Sequence, residues 1–157
     1  MLDESLKRLI QRELREIDAL LSRADELLNI AENEEPSFER LAALAQILTS
    51  FYTGLERIFE RIARNVDSSI PEGQRWHSEL LGQVAGPTSN REAVISIKSR
   101  TRLREYLAFR HRSRHAYAHH LEWRSMENLV GQLADTWEGV RSEIQRFLER
   151  HWTDDAI

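Results

Sequence analysis

Residues 41–62 read LAALAQILTSFYTGLERIFERI. Leu41, Leu44, Leu48, Phe51, Leu55, Ile58 and Ile62 recur at alternating spacings of three and four, which puts them on one face of an α-helix. Ala45, Tyr52, Phe59 and Val66 lie beside that stripe and widen it. A face this wide packs against more than one neighbour, so the segment is expected at the centre of a helical assembly. The loop Asp67-Ser68-Ser69-Ile70-Pro71-Glu72-Gly73 ends it.

The same periodicity extends outward in both directions. Upstream, Ile10, Leu14, Ile17, Leu21, Ala24, Leu28 and Ala31 define a helix over about 2–33, stopped at Asn33-Glu34-Glu35-Pro36-Ser37. Proline disfavours helix in the residue before it and suits a new first turn. Downstream, a short helix is expected over about 74–85, closing at Gly86-Pro87. Ser89-Asn90-Arg91-Glu92 then has the pattern of a capping box, which predicts a helix from about 90 into the following basic segment. Met126, Val130, Leu133, Trp137, Val140, Ile144 and Phe147 mark a last long helix over about 124–151. The expected fold is all-α: an antiparallel bundle of four long helices and one short one, in a single domain over 1–152 with a tail at 153–157.

Composition agrees. With 41% hydrophobic and 31% charged residues in 157, the chain can bury a core and is not a disordered sequence. Six glycines and three prolines are few, which favours helix over sheet. There is no cysteine, so disulfides and thiolate metal sites are excluded. The opening Met1-Leu2-Asp3-Glu4-Ser5 does not read as a signal peptide, and no apolar run approaches the roughly 20 residues of a membrane span. A cytoplasmic location and no membrane contact are expected.

The net charge is −4, but it is unevenly placed. Residues 1–35 hold ten acidic and five basic side chains, whereas residues 91–124 hold nine basic and three acidic ones with four of the six histidines. An anionic ligand at one place fits such a block. Within it runs Tyr106-Leu107-Ala108-Phe109-Arg110-His111-Arg112-Ser113-Arg114-His115-Ala116-Tyr117. The stripe Leu103, Leu107, Arg110, Arg114, Tyr117 passes from apolar to charged, and a guanidinium on a core-facing stripe must be paired or face a cleft. On a straight helix Arg110 and His115 would stand about 140° apart, at ~100° per residue. They could meet one phosphate if the helix ends or bends near Ser113–Ala116, or if two subunits share the site.

These residue types suit RNA cleavage without a metal. Histidine can exchange protons near neutral pH, for the ribose 2′-hydroxyl and for the leaving 5′-oxygen. Arginine can hold two phosphate oxygens at once. DNA lacks the 2′-hydroxyl and would not be cut this way. A solvated basic face complementing a helix dipole explains the same cluster. His111, His115 and His119 also have helix-face metal spacing, but no carboxylate lies among residues 106–121, and neither metal nor cofactor is expected. Trp76-His77 reads as an amphipathic pair packing at a helix start.

Arg110, His111, His115 and Tyr117 form Arg-(x)4-His-x-Tyr, which resembles the HepT-like toxins of the HEPN superfamily. Residues 51–59, from Phe51 to Phe59, and Trp76-His77-Ser78-Glu79-Leu80-Leu81 share the resemblance. It implies a HEPN-like bundle and a homodimeric endoribonuclease whose paired motifs form one cleft. It also implies a minimal nucleotidyltransferase antitoxin that attaches AMP to the motif tyrosine, Tyr117. On that reading Arg110 meets the phosphate, His115 is the acid/base, and His111 positions or transfers a second proton. Arg112 and Arg114 bind RNA backbone. The alternative is a non-catalytic helical module that partners a nucleotidyltransferase and holds its substrate.

Overall fold

The computed structural model describes residues 3–152. Helix α1 spans Glu4–Asn33, α2 Phe38–Ile62, α3 Trp76–Val84, α4 Ile97–Arg114 and α5 Trp123–His151. A π-helical turn, Ala63–Asp67, carries α2 to its end, and a 3₁₀ turn, Ala118–His120, precedes α5. No strand occurs among the described residues, so the chain is the expected all-α bundle. The expected tail at 153–157, and Leu2 at the expected start of the first helix, lie outside the described residues.

Each apolar stripe faces inward. All seven stripe residues of α2 are buried, with Ala45, Tyr52 and Phe59 beside them and Val66 in the π-turn that follows. As that width requires, α2 packs against α1, α3, α4 and α5. Ile10, Leu14, Ile17, Ala24 and Ala31 of α1 are buried, and Leu21 and Leu28 rest partly covered on the same core. Between α1 and α2, a Cβ on Gly54 would stand 2.9 Å from Ile17 Cγ1, so glycine leaves room there for the Ile17 side chain. Phe51 meets Tyr106 and Trp137 edge-on at 5.3 and 6.1 Å between ring centres, joining α2 to α4 and α5.

Helix starts follow local chemistry where nothing competes with it. Asp3 accepts from the Ser5 amide at 3.0 Å, and Ser37 Oγ accepts from the Arg40 amide at 3.3 Å. The expected start at about 90 is not observed. Residues 88–91 form a tight turn instead, in which the Thr88 amide donates to the Arg91 carbonyl at 2.9 Å. The reason is tertiary. Arg91 turns inward, its Nε and Nη2 each donating to the Asp67 carboxylate at 2.7 Å, while Nη1 donates to the Gly86 carbonyl at 2.8 Å. Val94 and Ile95 then drop into the core. The helix begins only at Ile97, capped by Ser96 Oγ, which accepts from the Ser99 amide at 3.1 Å. Glu143 of α5 accepts from the Ser96 amide at 2.6 Å and from the Ser99 hydroxyl, tying the start of α4 to α5. None of the described helices is long and apolar enough to cross a membrane.

Candidate functional site

Helix α4 buries Leu103, Tyr106, Phe109 and Arg110. The charged stripe is thus rotated from its expected line, with Leu107 only half-buried and Arg114 and Tyr117 in solvent. Arg110 is 2% exposed. Its Nη2 donates to both oxygens of Glu56 at 3.0 and 2.9 Å, and its Nη1 donates to Thr53 Oγ1 at 3.2 Å. The guanidinium carbon lies 4.9 Å from the centre of the Tyr52 ring. Arg110 is thus a core residue, and in the structure its guanidinium faces Glu56, where the resemblance implied a phosphate. A buried charge needs a counter-charge, and α2 supplies it.

Glu56 also meets His77, the second residue of α3. His77 Nδ1 lies 2.8 Å from Glu56 Oε2 and 3.1 Å from Arg110 Nη2. A ring nitrogen cannot donate to one and accept from the other at once. The shorter contact is to a carboxylate, which only accepts, so the proton sits on Nδ1 and is donated to Glu56. In the neutral ring the lone pair is then on Nε2. The His77 ring stacks on Trp76 at 3.7 Å, and its side chain stays 31% exposed. The expected packing of this pair is present, together with an ion contact that its sequence did not announce. Burial, and then the Glu56 charge, push the Tyr52 hydroxyl well above the usual phenol range.

The helix ends where a meeting of Arg110 and His115 would require. Arg114 is its last residue, and His115, at φ −105° and ψ 3°, has left the helical track. His111 and His115 are exposed, their ring centres 5.2 Å apart and edge-on. Arg112 and Arg114 are exposed beside them. Tyr117 follows in extended backbone and is 72% exposed, with His119 stacked at 5.4 Å and His120 edge-on at 5.8 Å. Among the described residues, no group of three His, Cys, Asp or Glu side chains is placed to hold a metal ion.

Glu56 and His77 are the site residues that sequence reading missed. A signal existed for the first: Tyr52, Glu56 and Phe59 are spaced four and three, so a carboxylate sits on the widened apolar face of α2. Such a position calls for a buried cation elsewhere in the chain, and Arg110 was already marked as needing an anion.

A family model described as HepT-like protein matches residues 43–151, more than half of the chain. The chain belongs to the HepT-like family. The matched span begins within α2 and ends with α5, so it contains Glu56, His77, Arg110, His115 and Tyr117. HepT-like membership suggests a toxin-like HEPN ribonuclease of a toxin–antitoxin system, a class generally paired with a nucleotidyltransferase antitoxin. Comparison with curated proteins and with solved structures gave no match.

Proposed function

We propose that this HepT-like protein is the toxin of a toxin–antitoxin pair and cleaves RNA through attack of the ribose 2′-hydroxyl, without a metal. One observation carries the reading. His111 and His115 stand exposed and ring to ring at the end of α4, next to an arginine locked into the core behind them. In this arrangement His115 exchanges a proton with the reacting oxygens and His111 supports or shares that task. Arg112 and Arg114 attract the RNA backbone. Arg110 acts from behind, fixing α4 against α2 and holding Glu56, so it is a positioning residue.

The charged stripe of α4 gives no support to a dimer, because Arg110 is satisfied within its own chain. The homodimer proposal now rests on family likeness and on the single-sided placement of the histidines, which a second copy would face across a two-fold axis. Tyr117 is proposed as the acceptor of AMP from a minimal nucleotidyltransferase, a role that its exposure permits. The burial of Arg110 is the observation that favours the second reading, a non-catalytic partner of a nucleotidyltransferase, since a site without a free motif arginine could serve binding alone. Expression without any partner separates the two. A ribonuclease toxin arrests growth, and His115→Ala abolishes the arrest. Normal growth with accumulation of folded protein would select the adaptor.

A further inference from the structure

The face of α4 that does not enter the core borders an open groove against α3, with a volume of about 800 Å³. His77 and His111 line it from opposite helices, together with Arg75, Arg100, Arg104 and the half-buried Leu107. Arg100 lies flat over α3, its Nη2 3.3 Å from where a Cβ on Gly82 would stand, so the glycine leaves room for the guanidinium beside the groove. The groove thus joins three cations and a single carboxylate, Glu79, to two imidazoles, and His111 leads from it to His115 at the helix end.

The geometry points to His77 as a proton-transfer residue of this site, oriented by Glu56, with single-stranded RNA lying along the α3–α4 groove. This rests on the ribonuclease reading above and adds a residue outside the Arg-(x)4-His-x-Tyr motif. The chemistry follows from the tautomer. With Nδ1–H donated to Glu56, the Nε2 lone pair is the basic end of the ring, and the exposed part of the side chain contributes to the groove. A carboxylate behind an imidazole fixes its orientation and stabilises the imidazolium that forms when it takes a proton. His77 Nε2 accepts the proton of the ribose 2′-hydroxyl. The 2′-oxygen bonds to phosphorus, and the bond from phosphorus to the 5′-oxygen breaks. His115 protonates that oxygen, leaving a 2′,3′-cyclic phosphate and a 5′-hydroxyl. Arg110 donates to both oxygens of the same Glu56 carboxylate, so the motif arginine reaches the chemistry through Glu56 and His77.

The discriminating variant is His77→Asn. The asparagine amide nitrogen takes the place of Nδ1 and can still donate to Glu56, while nothing takes the place of Nε2. The expected result is an unchanged melting temperature and unchanged binding of a 2′-O-methyl RNA oligonucleotide, measured by fluorescence anisotropy. RNA cleavage should fall by about 10²–10⁴-fold, and the acid-side limb of the pH–rate profile should be lost. Arg104→Glu should weaken binding of the same oligonucleotide. Near-parent cleavage by His77→Asn with the parent pH profile, while His115→Ala is inactive, overturns this inference and leaves the ribonuclease reading standing. A parent chain that cleaves no RNA overturns both. Should His77→Asn not fold, ring ¹⁵N shifts of the parent decide. An Nδ1-protonated His77 whose resonances move on adding the 2′-O-methyl oligonucleotide supports the inference, and an Nε2-protonated or unresponsive ring overturns it.

Discussion

Arg110 and His115 sit within the same motif and should nevertheless fail in opposite ways. Removing the Arg110 guanidinium leaves Glu56, itself buried, without its bidentate partner. Breaking such a pair typically costs about 3–5 kcal/mol, so Arg110→Ala is expected to lower the denaturation midpoint sharply, and lost activity in that variant reports on folding as much as on chemistry. The sequence did not announce this cost, because the partner carboxylate lies 54 positions away on another helix. His115 is exposed and follows the last helical residue. His115→Ala should therefore stay within about 0.5 kcal/mol of the parent stability while RNA cleavage falls by about 10²–10⁴-fold. Equal destabilisation of the two variants in urea titrations would contradict this division of labour. Tyr117 makes a third case. An AMP group on its exposed hydroxyl would add bulk and negative charge beside Arg112 and Arg114, where an RNA phosphate would otherwise bind. Tyr117→Phe should stay toxic and escape neutralisation. Intact mass after co-expression with the nucleotidyltransferase should show AMP-sized additions on the parent and none on the variant. An unmodified parent that is fully inhibited would mean inhibition by binding alone.

Among the elements, legibility tracked how local the deciding interactions are. The stripes of α1, α2 and α5 were readable because a spacing of three and four is a property of the segment itself, and every residue named on the α2 and α5 stripes is buried. The start of α4 was misplaced because Ser89-Asn90-Arg91-Glu92 satisfies a local capping rule that loses to a distant partner. Arg91 gains a buried carboxylate at Asp67 and three carbonyls, more than a capping box could offer. The facing of α4 was misjudged for a similar reason. Leu107 fits the apolar spacing, but the pull of Glu56 on Arg110 turns Tyr106 and Phe109 inward. The site divides along the same line. The exposed histidines and Tyr117 were named from their motif, whereas Glu56 and His77 come from α2 and α3 and join it only through folding. The meeting of α1 and α2 offers a direct test of packing. Gly54→Ala would bring a methyl group to within 2.9 Å of Ile17 Cγ1, and overpacking of this kind typically costs about 1–3 kcal/mol. A variant as stable as the parent would mean that α1 shifts freely on α2.

At the scale of the whole molecule, chemistry is concentrated at one end of an otherwise ordinary bundle. The end of α4, the turn that follows it and the start of α3 hold His111, His115, Tyr117, His119, His120 and His77. The basic block runs along α4 to that end, while the excess acidic charge of α1 lies on a different helix, an asymmetry that favours an anionic ligand along α4 despite a net charge of −4. A second copy placed across this pole would bring two sets of histidines together. Light scattering at micromolar concentration is accordingly expected to give twice the 18.4 kDa chain mass, and a monomer there would count against a shared cleft. The most direct measurement is made on the purified parent protein, mixed in EDTA with a single-stranded RNA oligonucleotide and with its 2′-O-methyl counterpart, the products being resolved by mass spectrometry. Cleavage through the 2′-hydroxyl predicts that the RNA is cut to fragments ending in 2′,3′-cyclic phosphate and beginning with 5′-hydroxyl, that the methylated strand stays intact, and that His115→Ala leaves both uncut. Intact RNA under these conditions, or cutting that EDTA abolishes and zinc restores, would contradict a metal-independent ribonuclease.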